Sequence, residues 1–401
     1  MPPAARSFDA AAYDALGVDE LRARGGLKWT YYGSESLGAF VAEMDTGTAP
    51  VVQAALRAAV EVGDFGYLPP APQTAMAAAC AAWQRDHYGW QVVADDVHAI
   101  PDVVRGLEIV IAHLSRPGRP VILPTPAYMP FLDVPGLLGR RILEVPAARV
   151  DGRAALDLDG IDAAFRAGGE LLVLINPHNP LGRVFTAEEL LALCAVVDRH
   201  GGRVFADEIH APLIYPGHRH VPYASLSATA AGHTVTATSA SKAWNLPGLA
   251  CGQLILSADD DRAALERIPR VALHGASLLG VVAARAAYEQ GGPWLEGVLS
   301  HLDGNRHTLA ALLAEHLPEV RFVVPEGTYL AWLDLRALGL GDHPGEVLLE
   351  RTGVALVDGP QCGAPGRGHA RLNFATPRPV LELVVRRMAD AVRERPRQTP
   401  S

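Results

Sequence analysis

The sequence predicts an α/β protein. Its large domain would carry a mostly parallel seven-stranded sheet between helices, and a smaller α+β domain would follow. Three observations lead there. Between residues 97 and 256, short β-branched or apolar runs alternate with helical patterns, the alternation that builds parallel sheets covered on both faces. The run Leu171-Leu172-Val173-Leu174-Ile175 is apolar without a break, as a strand buried on both faces must be. Beyond residue 285 the pattern becomes a long helical stretch followed by short β-like runs.

The elements follow in order. Residues 1–27 are polar and Ala-rich and read as an arm with a short helix, followed by an apolar run at 40–45. Pro50 opens an amphipathic helix at 50–63, with proline in the first turn where its missing N–H costs nothing. An extended loop from Phe65 to Pro70 leads to a helix at 73–88. Strands are expected at 97–100, 120–123, 141–145, 171–175, 203–206, 234–238 and 253–256. Between them lie a helix at 103–114 after Pro101-Asp102, one capped by Asp159 and running to 167, and one at 186–200. The last starts with the capping box Thr186-Ala187-Glu188-Glu189. After 285 come helix to 317, β-like runs at 321–324 and 329–335, a helix at 345–351, a strand at 371–374 and a helix at 379–394. This divides the chain into an N-terminal arm with part of the small domain (1–44), a large domain (45–285) and a C-terminal small domain (286–401).

Composition narrows the function class. The 401 residues are 49% hydrophobic and 20% charged, enough for an ample core. A net charge of -9 without a long basic run argues against nucleic acid or an anionic membrane as partner. The start of the chain lacks a basic-then-apolar leader pattern. The longest nearly uncharged segment, 271–284, is too short to span a bilayer. Cys80, Cys194, Cys251 and Cys362 form no C-x-x-C pair and fit reduced thiols, so the expected setting is the cytoplasm.

In sheets of this kind ligands sit beyond the carboxyl ends of the strands. The residues that stand out lie there: Asp102 and Val103, Tyr128, Asn176 to Asn179, Asp207 and His210, and Ser239 to Lys242. Lys242 is the only lysine after Lys28, in a chain with 35 Lys+Arg, and sits in an apolar, serine-flanked turn. A desolvated amine has a lowered pKa and attacks aldehydes. Pyridoxal 5′-phosphate is the common aldehyde cofactor held this way, and it needs an aspartate at its pyridine nitrogen and donors around its phosphate. Asp207 supplies the acid. The N–H groups of Val103 and Val104 open a helix toward an anion, and Ser239 and Ser241 add hydroxyls. Singly, these residues read as a loop lysine, a cap and a turn; their convergence on one sheet edge makes the case. His218 and His220, in a Pro/Gly-rich loop, read as surface.

Asn176-Pro177-His178-Asn179-Pro180-Leu181-Gly182, Ala206-Asp207-Glu208-Ile209-His210 and Ser239-Ala240-Ser241-Lys242 resemble the fold-type I class I/II aminotransferase superfamily. Further segments are similar to its cystathionine β-lyase (MalY/PatB-type) branch. They are Val41-Ala42-Glu43-Met44-Asp45, Phe65-Gly66-Tyr67, Thr125-Pro126-Ala127-Tyr128, Pro325-Glu326-Gly327-Thr328-Tyr329 and Arg371-Leu372-Asn373-Phe374. The resemblance implies that Lys242 carries the cofactor aldehyde and, once displaced by substrate, moves the Cα proton. It implies that Asp207 pairs with the ring nitrogen, that Asn179 bonds the ring oxygen with His210 nearby, and that Tyr128 stacks on the ring. Arg371 would grip the substrate α-carboxylate, near Asn179 and Tyr128. Tyr67 would reach the phosphate across a homodimer interface. Many members of the superfamily carry arginine eight residues after the lysine; here that residue is Ala250, and Arg105 is the candidate replacement. The implied reaction is elimination of a thiol from cystathionine or another cysteine S-conjugate, leaving pyruvate and ammonia. An aminotransferase shares the same residues, and a non-catalytic regulator on a retained fold is a third reading. Val357-Asp358-Gly359-Pro360-Gln361-Cys362 departs from the branch pattern near the expected substrate mouth, which leaves the leaving group open.

Overall fold

A computed structural model describes residues 8–393. The first part of the expected arm and the end of the last helix at Glu394 lie outside the described residues. The large sheet has seven strands: β1 (Val97–Ile100), β2 (Val121–Thr125), β3 (Ile142–Pro146), β4 (Leu171–Ile175), β5 (Arg203–Asp207), β6 (Thr234–Thr238) and β7 (Gly252–Leu256). Their order across the sheet is β1-β7-β6-β5-β4-β2-β3. β7 runs opposite to the other six strands. The other six strands therefore end on one edge.

The apolar run of β4 shows why this sheet is buried on both sides. Leu171, Val173 and Ile175 pack with Leu107 and Val110 of the helix Val103–His113. Leu172 and Leu174, one residue out of phase, pack with Phe165 and Leu190 from the helices Leu158–Arg166 and Ala187–Arg199. The period-2 alternation of side chains sends one strand into two cores.

A second, antiparallel sheet holds Arg321–Phe322, Leu330–Asp334, His369–Asn373 and Val357–Asp358 in that spatial order. Leu37–Gly38 runs parallel to Val354–Ala355, so the N-terminal segment is joined to the C-terminal part of the chain. Glu326 locks this sheet to the large one. Its buried carboxylate accepts two bonds from Arg183 Nη1, at 2.8 and 2.6 Å, and one from the Val184 N–H at 2.8 Å, and it also pairs with Arg153. The contact needs Gly182 in the left-handed region, φ 67°, where a Cβ would meet Pro325 Cβ at 2.7 Å.

Several expectations are corrected. The second large helix begins at Pro70, not 73. Asp157 rather than Asp159 caps Leu158–Arg166, its Oδ1 accepting from Gly160 N at 3.0 Å. A hairpin, Ala148–Val150 with Arg153–Ala155, turns on Asp151-Gly152, both at positive φ. Helix resumes at Leu278 rather than 285, packing on Pro50–Glu61 and Pro70–Tyr88. His220 is buried: its Nε2 lies 3.2 Å from Glu208 Oε2 and its ring meets Tyr88 edge-on, while His218 is exposed as expected. All four cysteines are free and buried. Among the described residues no helix is long and apolar enough to cross a membrane.

Candidate active site

The site is assembled where the strands end. β6 runs into a turn that the Ser239 hydroxyl organises, donating to Cys251 O at 2.7 Å and accepting from Ser241 N at 3.0 Å. This turn sends Lys242 into a cavity of about 220 Å³. Its Nζ donates to the Ala42 carbonyl at 3.0 Å, an oxygen that also accepts from the Tyr329 hydroxyl at 2.9 Å. β5 delivers Asp207 and the loop after it His210; β4 leads to Asn179; the loop after β2 brings Tyr128; and the helix Val103–His113 opens at Val103 and Val104. Ser239 and Ser241 complete the wall.

Burial dominates the electrostatics. It pulls the Lys242 amine down to about 8, and the charge of Arg371 pulls the same way. It pushes Asp207 up to about 7, against the hydrogen bond from Ile209 N (3.1 Å) and the Lys242 charge. Burial, then Lys242 and Arg371, hold the His210 imidazole well below its ordinary range, so the ring is neutral. Burial also raises the Tyr128 phenol. Arg371 stands beside the cavity on His369–Asn373, donating to Asn179 Oδ1 at 2.9 Å and to Phe40 O at 2.6 Å.

These residues fit pyridoxal 5′-phosphate on their own chemistry. Asp207 is a buried carboxylate that, among the described residues, accepts from a single backbone N–H and is paired with no cation, the environment a protonated ring nitrogen would relieve. His210 Nδ1 and Arg371 Nε are buried polar atoms without a hydrogen-bond partner among the described residues. At the helix start, Asp102 caps Arg105 N at 2.8 Å and leaves the N–H groups of Val103 and Val104 for an anion. The Asp102 carboxylate, exposed at the same rim, opposes that anion.

Two expected residues stand elsewhere. The Arg105 guanidinium is engaged by Glu108, one turn on at 2.5 Å, and by Ala272 O at 3.1 Å, and it does not line the cavity. Tyr67 is 89% exposed and lies in a separate groove of about 790 Å³, beside His274. Cys362 is buried outside the cavity, its carbonyl accepting from Ala127 N at 2.8 Å; burial pushes its thiol to about 11. Sequence reasoning missed Ala42, Pro101, Ile209, Pro247 and Cys251 as wall residues. Ala42 lay inside a motif already singled out, but its part is played by a backbone carbonyl.

The family model "Aminotransferase class I and II" matches residues 41–388. The chain belongs to the class I and II aminotransferase family. Within it, a cystathionine beta-lyase of Corynebacterium glutamicum is 39% identical, over 94% of this chain and 99% of its own. A candidate PLP-dependent beta-cystathionase of Corynebacterium diphtheriae has the same fold, with a TM-score of 0.90 and 39% identity over 94% and 98% of the two chains. A PLP-bound C-S lyase of Staphylococcus hominis superposes with a TM-score of 0.86 at 27% identity, over 94% and 99%. The family match covers both sheets and every lining residue of the cavity.

Proposed function

We propose that this chain is a pyridoxal 5′-phosphate-dependent carbon–sulfur β-lyase that cleaves cystathionine or a related cysteine S-conjugate to a thiol, pyruvate and ammonia. The observation that carries the reading is the joining of Lys242, Asp207, Asn179 and His210 around one cavity, with Arg371 beside it. Near full-length similarity to relatives named as C-S lyases supports elimination in particular.

Lys242 would hold the cofactor by its aldehyde, Asp207 would face the ring nitrogen, and Asn179 and His210 the ring oxygen. Val103, Val104 and Ser241 would take the phosphate, and Ser239 would join them by turning its hydroxyl away from Cys251 O. When bound, the cofactor supplies an electron sink that makes the substrate Cα proton removable. The chain's own residues do the rest. Arg371 binds the α-carboxylate through a planar fork and orients the Cα–H bond. The Lys242 amine, freed when the substrate amine takes its place and lowered to about 8 by burial, takes that proton. The bond from Cβ to sulfur then breaks and the thiolate leaves. Tyr128, half-buried against Phe131, would pack on the bound ring and exclude water. Tyr67, exposed on one chain, is read as a contact to the cofactor of a second copy in a homodimer; the working place is the cytoplasm.

An aminotransferase is the second reading, favoured by the family's name and by the shared residue set. Incubation of the cofactor-loaded protein with L-cystathionine separates them. Elimination regenerates the aldehyde form of the cofactor and releases thiol; transfer leaves the pyridoxamine form and no thiol.

A further inference from the structure

Residues 40–46 pass the cavity as a strap whose carbonyls are taken by side chains from elsewhere in the fold. Arg371 Nη2 holds Phe40 O at 2.6 Å. Asn373 Nδ2 holds Val41 O and Glu43 O at 2.7 and 2.6 Å. Lys242 and Tyr329 share Ala42 O. Further along, the buried Asp45 carboxylate is fixed by Lys28 Nζ at 2.8 Å and Trp29 Nε1 at 2.6 Å.

Asn245 joins this strap to the lysine turn. Its backbone belongs to the turn, three residues after Lys242, at φ 57°, a left-handed conformation that asparagine tolerates. Its amide belongs to the strap: Oδ1 accepts from Met44 N at 3.0 Å, and Nδ2 donates to Met44 O at 3.0 Å and Thr46 O at 2.8 Å. All three bonds go to residues two to four places beyond Ala42, whose carbonyl meets the Lys242 amine.

We propose that Asn245 is a positioning residue: by clasping residues 44–46 to the lysine turn it sets where the Lys242 amine stands, and through Phe40 on the same strap it couples that amine to Arg371. A lysine side chain has four rotatable bonds, and small displacements of a reacting atom have large rate consequences. The charged groups felt at Nζ are Arg371, Glu43 and Asp207, so a moved amine also meets a different field. The inference rests on reading Lys242 as the amine that takes the cofactor aldehyde.

The test uses the full chain freed of cofactor, mixed with pyridoxal 5′-phosphate at a series of pH values and trapped with borohydride. Peptide mass spectrometry then measures capture at Lys242. Asn245→Gly removes the amide and suits the backbone conformation. Asn245→Asp keeps the acceptor for Met44 N and loses both donations. Arg140→Met serves as a control for mere destabilisation, since Arg140 bonds Ile111 O and Arg119 O, away from the strap. The Asn245→Gly protein is expected to capture cofactor at least about fivefold more slowly, with a displaced pH midpoint, and Asn245→Asp, which sets a carboxylate oxygen against Met44 O and Thr46 O, to be slowed at least as much. Arg140→Met should melt lower with capture unchanged. Equal capture by Asn245→Gly and wild type, or an equal loss in Arg140→Met, overturns the inference. Absence of capture in the wild type overturns the reading of Lys242, and this inference with it.

Discussion

Arg371 Nη1 donates to Asn179 Oδ1 at 2.9 Å, joining the small sheet to the loop that leaves β4. A guanidinium anchored on one side keeps its orientation for a carboxylate on the other. Arg371→Lys should lower kcat/KM for L-cystathionine by about 100-fold, mostly through KM, because an ammonium cannot reproduce the fork. Asn179→Ala leaves Arg371 placed by Phe40 O, so the KM rise should be smaller. Steady-state kinetics checks both; a wild-type KM in the lysine variant contradicts the assignment.

Asp207 is held up at about 7, above the ordinary carboxylate range, mainly by burial. A raised acid favours the folded chain while protonated, and that contribution is lost as pH rises through about 7. At pH 8 the cofactor-free chain therefore carries a buried charge. Asp207→Asn should stabilise the cofactor-free protein at pH 8, by up to about 4 kcal/mol for a carboxyl raised from about 3.9 to about 7, with little effect near pH 4. The same variant should bind cofactor more weakly. Melting curves at the two pH values and cofactor titration check the pair of outcomes.

The Lys242 amine lies at about 8 in the folded chain, lowered by burial and then by Arg371. The unfolded chain binds more protons between that value and the ordinary lysine pKa of about 10.4, so this group's contribution to stability rises with pH across the window. The neutral amine that reacts with an aldehyde accumulates as pH passes about 8. Cofactor capture should rise with the same midpoint. Removing the second cause with Arg371→Leu should move the midpoint to higher pH; a midpoint that stays or falls contradicts the electrostatic account.

Glu326 illustrates a motif whose meaning is structural. Removing its charge leaves Arg183, with side-chain exposure of 6%, paired with Glu189 alone, at 2.6 Å. Glu326→Gln should destabilise the fold by up to about 3 kcal/mol, the low end for a broken buried pair because Glu189 remains, read as a lower denaturant midpoint at unchanged slope.

Much of the fold is legible because buried strands announce themselves: the bounds of β1, β4 and β6 follow from their composition alone. Where two acids compete, as Asp157 and Asp159 do for one helix start, only the backbone shows which reaches Gly160 N. The Asp151-Gly152 hairpin carried its signal and was overlooked. Lys242, Asp207, Asn179, His210 and Tyr128 could be grouped because strand ends on one edge converge. Arg105 misled because sequence does not say that Glu108 takes its guanidinium. His220 misled because its partner, Glu208, lies twelve positions away. Ala42 was invisible for a simpler reason: a backbone carbonyl has no residue type.

The measurement that bears most directly on the account is product analysis with L-cystathionine, using the cofactor-loaded wild type beside Lys242→Ala. The account predicts pyruvate and free thiol in equal amounts over many turnovers, with the aldehyde form of the cofactor persisting, and no turnover in Lys242→Ala. Conversion of the wild type to the pyridoxamine form without thiol, or undiminished pyruvate from Lys242→Ala, contradicts it.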